Sequence, residues 1–263
     1  MDNFQGLIKE ICEEKNIDFR LLSKDWIMKL SKDGRAKFIV GMRFPINSYS
    51  SATICVDKYA LYQVLENAGI PVVEHCLMYR EGYLENYSSD LIDREELEDY
   101  LNKHREVVVK DTCGSNGLQV YRANSYQEVR EDLDKIFERK DTAVICPFLN
   151  IEAEYRVIVL EGAVEVIFSK ERTGDKWRHN LSNGAVARII EDEDERKRLS
   201  ELALRVASAI DIRFASVDLV KVNGELMVLE VNSSVCMNKF IEQVPSGREI
   251  AKRIYSGAIN LMF

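Results

Sequence analysis

Two short turns constrain this chain more than any other feature. Glu161-Gly162 joins "EYRVIVL" to "AVEVIFSKER", and Asn223-Gly224 joins "SVDLVKV" to "ELMVLEVNSS". In each case runs rich in β-branched residues flank a glycine-containing pair, which is the pattern of a tight antiparallel hairpin. Hairpins set among helical segments imply antiparallel sheets rather than a doubly wound parallel domain. Neither GxGxxG nor GxxxxGK[ST] occurs, so a nucleotide would need another scaffold.

With 263 residues, 46% hydrophobic and 30% charged, the chain can build one large core or two or three lobes. A net charge of -8 argues against general binding to nucleic acid or anionic membranes, both of which need a basic face. No signal peptide or membrane span is visible, and a cytoplasmic protein is expected. The six cysteines form no CxxC pair and the three histidines lie far apart, which fits a reduced compartment and disfavours a histidine metal site.

Residues 3–16 carry helical periodicity, "IDFRLL" reads as a strand, "KDWIMKLSK" as a short helix and "AKFIV" as a strand. Together they form a small α/β unit over 1–56, closed by "GMRFPINSYSSAT", which reads as a loop. Asp57 caps a helix in "DKYALYQVLENAGIP" that Gly69 and Pro71 stop. A charged helix over 94–103, the strand "EVVVK", the loop "DTCGSNG", a strand over 118–122, a helix over 125–139 and the strand "TAVIC" complete a lobe over 57–147. Pro147 marks a break. The second lobe, 148–263, holds the two hairpins, a loop over 173–186, a helix over 193–210 and a terminal helix over 246–261.

Lys110 ends a buried strand and precedes a loop of small residues, which suits either a phosphate cradle or an ordinary surface lysine at a turn. Asp218, Glu230 and Asn232 interrupt the second hairpin with oxygen-bearing side chains. They read either as hard ligands of the kind Mg²⁺ prefers or as polar strand ends. Register discriminates between these. A two-residue turn alone pairs Asp218 with Leu229 and sends Glu230 to the other face, whereas a shared face needs pairing centred on Gly224. We expect the shared face, through a three-residue loop of Asn223, Gly224 and Glu225 or through a bulge. Lys170, Arg172, Arg178 and Asn180 form a cationic cluster suited to phosphoryl transfer or to a solvated loop. Arg43, Arg156 and Arg248 read as holders of a substrate carboxylate or as surface ion pairs.

In order, "DKYALYQVLENAGIPV", "VVVKDTCGSNGLQV", "EYRVIVLEGAV", "WRHNLSNGA" and "ASVDLVKVNGELMVLEVNSS" resemble the ATP-grasp superfamily, most closely its RimK-type branch of glutamate-adding ligases. The resemblance spans residue 57 to about 255. It implies an α/β protein of α+β lobes: an ATP-grasp fold in which two lobes with mainly antiparallel sheets clasp ATP, preceded here by a shortened N-terminal unit. It further implies ATP contacts at Lys58, Lys110, Ser115, Asn116, Gly117, Phe148 and Leu149, with Glu154 on the ribose. Arg178 and Asn180 would sit by the γ-phosphate, and Asp218, Glu230 and Asn232 would bind Mg²⁺, with Mn²⁺ as a substitute. The partners implied are small-molecule carboxylate and amine substrates joined through an acyl phosphate, with homo-oligomerisation left open. The alternatives are a kinase-like phosphotransferase on the same fold and a nucleotide-binding module without catalysis. The hinge departs from the family pattern: Cys146-Pro147-Phe148 stands where the relatives usually carry Gln-Glu-aromatic, and Pro147 has no N–H to donate.

Overall fold

In the computed structural model, residues 2–83, 94–114, 117–172 and 184–263 are described. The chain opens with α1 (Asn3–Glu14), capped by Asp2, which accepts from the Gln5 amide. A three-stranded meander follows: β1 (Asp18–Leu22), β2 (Ile27–Lys32) and β3 (Arg35–Val40). The "KDWIMKLSK" segment is therefore not the helix its sequence suggested. Met28 and Leu30 are buried while Lys29 and Ser31 point the other way, and this period of two outweighs a helical spacing visible over only nine residues.

Next come α2 (Tyr49–Val56) and α3 (Lys58–Asn67). The first corrects the loop expected at "GMRFPINSYSSAT": Ser48 is an N-cap accepting from the Ser51 amide at 3.0 Å, so the serine-rich composition marks a helix start. Asp57 caps α3 as expected, accepting from the amides of Tyr59 and Ala60. Then follow β4 (Cys76–Tyr79), α4 (Arg94–His104), β5 (Val107–Asp111), β6 (Val120–Ala123), α5 (Tyr126–Phe137) and β7 (Thr142–Pro147). The four strands form one sheet in the order β4-β7-β5-β6, backed by α4 and α5.

The second large sheet contains β8 (Ala153–Leu160), β9 (Ala163–Glu171), β10 (Val186–Ile189), then, after α6 (Glu193–Ile210), β11 (Phe214–Val222) and β12 (Glu225–Asn232). Its order is β10-β9-β8-β11-β12, every pair antiparallel. β10 was not foreseen. Short α7 (Asn238–Gln243), also unforeseen, and α8 (Gly247–Asn260) end the chain. Both hairpins turn in two residues with positive φ, 49° and 72° at Glu161-Gly162, 51° and 81° at Asn223-Gly224. This handedness matches the right-handed twist of the strands.

One face of the five-stranded sheet packs Val157, Val217 and Leu219 against α3 and α6 through Leu65, Leu199 and Val206. The other face, at the Phe214 end, joins an aromatic cluster in which Phe44 lies edge-on to Phe214 at 5.2 Å and Phe4 edge-on to Tyr255 at 5.0 Å. The meander and α8 thus share one core with this sheet. Where α7 meets α8, a Cβ on Gly247 would lie 2.6 Å from the Phe240 carbonyl oxygen and 3.0 Å from Ile241 Cα. Both are backbone atoms that cannot swing aside. Gly247→Ala is expected to cost about 1–3 kcal/mol, read as a lower urea midpoint.

Candidate active site

The two large sheets face each other across a small apolar cluster of Val73, Val108, Cys146 and Val220, with Phe148, Leu149 and Leu229 partly buried against it. Main-chain bonds stitch the seam: Val73 donates to the Val228 carbonyl at 2.9 Å, and Val228 to that of Pro71 at 2.8 Å. Beside this apolar slot, the inner face of the five-stranded sheet carries a polar row.

The row exists because of one irregularity. From the turn outward, Val222 pairs with Glu225 and Leu219 with Val228, but Asp218 pairs with Glu230. Leu229 is the additional residue of a bulge. The two-residue Asn-Gly turn and the shared face are therefore both present, and the three-residue loop offered as the simplest route is replaced by the bulge. Across β8, Asp218 is also paired with Arg156, and Ser216 is paired with Asn232 on β12. Glu154, two residues before Arg156, points to the same face.

Charges are tightly matched here. Asp218 is fully buried, and Arg156 grips it bidentately, Nε to Oδ1 and Nη2 to Oδ2, both at 2.6 Å. Lys170 on β9 donates to Asp218 Oδ2 at 2.8 Å and to Glu154. Burial alone would raise the Asp218 pKa, but Arg156 and Lys170 outweigh it and hold the carboxyl well below the usual range. Glu154 goes the other way: burial raises it, Lys170 opposes, and the Asp218 charge adds to the rise. Asn232 Nδ2 donates to Glu230 Oε1 at 3.0 Å, leaving the Asn232 Oδ1 and the second Glu230 oxygen as acceptors.

Arg156, Ser216, Glu230 and Asn232 of this row, with Lys170, line a cleft of about 440 Å³ that Lys58, Gly114 and Arg43 also line, and Asp218 and Glu154 lie buried beneath them. Lys58 Nζ donates to the carbonyls of Gly114, Asp111 and Thr112 at 2.7, 3.2 and 3.3 Å. Its three protons thus tie α3 to the start of the glycine loop. Burial, and then the neighbouring Lys110, lower its pKa. Lys110 makes no ion pair among the described residues and lies half-buried in β5. Gly117 has φ 69°, a left-handed conformation that suits glycine. The Phe148 amide is already committed to the Glu106 carbonyl at 2.9 Å, so the hinge amide that remains is that of Leu149. Glu154 is buried beneath Lys170. Of the arginines in question, Arg156 holds Asp218, Arg248 pairs with Glu10, and Arg43 has no ion pair among the described residues. Ser115, Asn116, Arg178 and Asn180 lie outside the described residues. The sequence reading gave Arg156 no partner, although its two-residue spacing from Glu154 on a strand places both side chains on one face.

His75 precedes β4 and is 3% exposed; its Nδ1 donates to the Val73 carbonyl at 2.8 Å, and its Nε2 has no partner among the described residues. Burial, then Lys110 and Lys58, push its pKa well below the ordinary value. The unfolded chain therefore takes up a proton near pH 6.5 that the folded protein refuses. The stability this provides is present above that pH and lost as pH falls through it. His75→Leu is expected to flatten the decline in urea midpoint between about pH 6.5 and 5.

Comparison with known proteins follows the same lines. A family model described as the RimK-like ATP-grasp domain matches residues 55–257. A probable alpha-L-glutamate ligase of Chromohalobacter salexigens is 25% identical over 154 residues, 58% of this chain and 49% of the relative. The coenzyme gamma-F420-2:alpha-L-glutamate ligase of Methanocaldococcus jannaschii is 26% identical over 199 residues, 74% of this chain and 64% of its own length. The chain thus spans between about half and two thirds of these relatives. Among solved structures, the D-alanine–D-alanine ligase of Bacillus anthracis complexed with ATP superposes with a TM-score of 0.63 at 22% identity. That superposition covers 82% of this chain and 67% of the other. It establishes the fold, two antiparallel sheets facing across a cleft, and the match over 55–257 establishes the lineage: this chain belongs to the RimK-like ATP-grasp family.

Proposed function

We propose that the protein is an ATP-dependent carboxylate–amine ligase acting on small molecules. The observation that carries the reading is the bulged register, which sets Asp218 opposite Glu230 and leaves Asn232 on the same face, beside a cleft that Lys58 and Gly114 also line. The donor set fits a hard divalent cation: among the described residues Glu230 and Asn232 keep oxygens free, and Asp218 Oδ1 accepts from Arg156 alone, so it retains a lone pair. Mg²⁺ held by Asp218, Glu230 and Asn232 would supply charge neutralisation at the phosphates. The slot between Val108, Cys146, Val220 and Leu229 suits a flat apolar base, with the Leu149 amide at its edge.

ATP supplies the γ-phosphoryl group that turns a substrate carboxylate into an acyl phosphate, which an amine then converts to an amide. Lys110, at the end of β5 and without an ion pair among the described residues, would offer its ammonium to the phosphates, and Lys58 ties α3 to the carbonyls of Asp111, Thr112 and Gly114. Ser115, Asn116 and Gly117 follow Gly114 in the sequence, and Arg178 with Asn180 would meet the transferring group, as the resemblance implies. Arg156 and Lys170 keep Asp218 ionised. Six free cysteines fit the cytoplasmic assignment, and no helix among the described residues is long and apolar enough to cross a membrane. The test is release of ADP and phosphate on addition of paired carboxylates and amines, with Lys110→Ala as the probe. That variant is expected to weaken ATP binding at least tenfold with a melting profile close to that of the wild type, because Lys110 makes no ion pair among the described residues. A phosphorylated end product, or unchanged ATP affinity in the variant, would overturn the reading.

A further inference from the structure

Most basic side chains of the cleft are already committed. Arg156 and Lys170 neutralise Asp218 and Glu154, Lys58 is spent on three carbonyls, and Lys239 pairs with Glu242 at 2.7 Å. Arg43 differs. It lines the same cleft, is exposed, and makes no side-chain hydrogen bond or ion pair among the described residues. It also comes from the N-terminal unit, before the segment from residue 55 that the family model matches.

Its backbone is held firmly. Val40 and Arg43 exchange main-chain bonds, at 3.2 Å from the Val40 amide and 3.0 Å from the Arg43 amide. The next residue, Phe44, is 4% exposed and wedged against Phe214 and Tyr255. The guanidinium is thus delivered to the cleft from a fixed base, so that binding orders only the side chain itself. Among the described residues that line the cleft, Glu230 is the one acidic residue, and it accepts from Asn232. A planar fork of donors that no carboxylate among the described residues fills matches a ligand carboxylate in geometry and charge.

We propose that Arg43 binds a substrate carboxylate other than the one that is activated. The substrate class follows: one reactant keeps a free carboxylate after the amide has formed, either an amino acid on the amine side or a dicarboxylic acid on the acyl side. This rests on the ligase reading above. Because the charge on that group does not change during the reaction, Arg43 contributes to binding and not to the rate of the bound complex.

The test is calorimetric titration of the full chain loaded with Mg-ADP. The probes are L-amino acids against their decarboxylated amines, and dicarboxylic against monocarboxylic acids of equal length. At least one compound with a spare carboxylate is expected to bind at least tenfold more tightly than its match, and the side of the panel on which it falls identifies the reactant. Arg43→Ala should abolish the difference, Arg43→Lys should restore part of it, and affinity for Mg-ADP should stay within twofold. Equal binding of matched compounds, no binder in either panel, no effect of Arg43→Ala, or a loss of nucleotide affinity in that variant would each overturn the proposal. A wild-type chain that fails to bind Mg-ADP at all would instead overturn the ligase reading itself.

Discussion

Asp218→Ala is expected to lower turnover a hundredfold or more and also to destabilise the fold by about 3–5 kcal/mol. The two effects have separate causes. The catalytic loss follows from removing one of the oxygens assigned to the metal. The structural loss follows from what remains: an Arg156 guanidinium stripped of both its 2.6 Å acceptors, and a buried Lys170 left with Glu154 alone. A buried cation without its counter-charge keeps its desolvation cost and loses the attraction that offset it. Urea unfolding reads the second effect independently of activity. A variant as stable as the wild type would show that Asp218 does not hold this cluster together.

The paired replacement Arg156→Met with Asp218→Leu separates the effects further. Removing both charges and filling their volume leaves no orphan, since Lys170 keeps Glu154. Stability is expected within about 1 kcal/mol of the wild type, or above it. Turnover should remain as low as in Asp218→Ala. Arg156→Ala alone should cost about 3–5 kcal/mol, because Asp218 then lies fully buried with only Lys170 beside it. The cycle of single and double variants gives the coupling energy directly. If the double variant is as unstable as the sum of the singles, the pair is not acting as a unit.

Features fixed by local chemistry were legible in the sequence. Asp57 as a cap, Asn223-Gly224 and Glu161-Gly162 as turns, and the helix over 193–210 each depend on residues within a few positions of one another. Segments with ambiguous or brief patterns were misread. "KDWIMKLSK" satisfies two periods at once, and the Ser48 cap looked like loop composition. The charge network was legible in part. Alternation puts Glu154 beside Arg156 and Asn232 beside Glu230, but the acceptor for Arg156 lies 62 residues away. Only sheet order reveals it. The Phe148 amide was likewise lost to Glu106, a partner supplied by a distant loop.

The bulge at Leu229 makes the cleft a matter of register and not of loop length. Opposed residues share a face, and in an unbroken ladder the two-residue turn would set Leu229 opposite Asp218. The one additional residue moves that place to Glu230. Deleting Leu229 closes the bulge and still leaves Glu230 opposite Asp218, because the glutamate then follows Val228 directly. Keeping Leu229 while flattening the bulge has the reverse effect: it seats the leucine opposite Asp218 and turns Glu230 and Asn232 toward the helices packed on the far face. The hairpin can therefore lose this one residue without disturbing the cleft, whereas a one-residue slip of the ladder disables it.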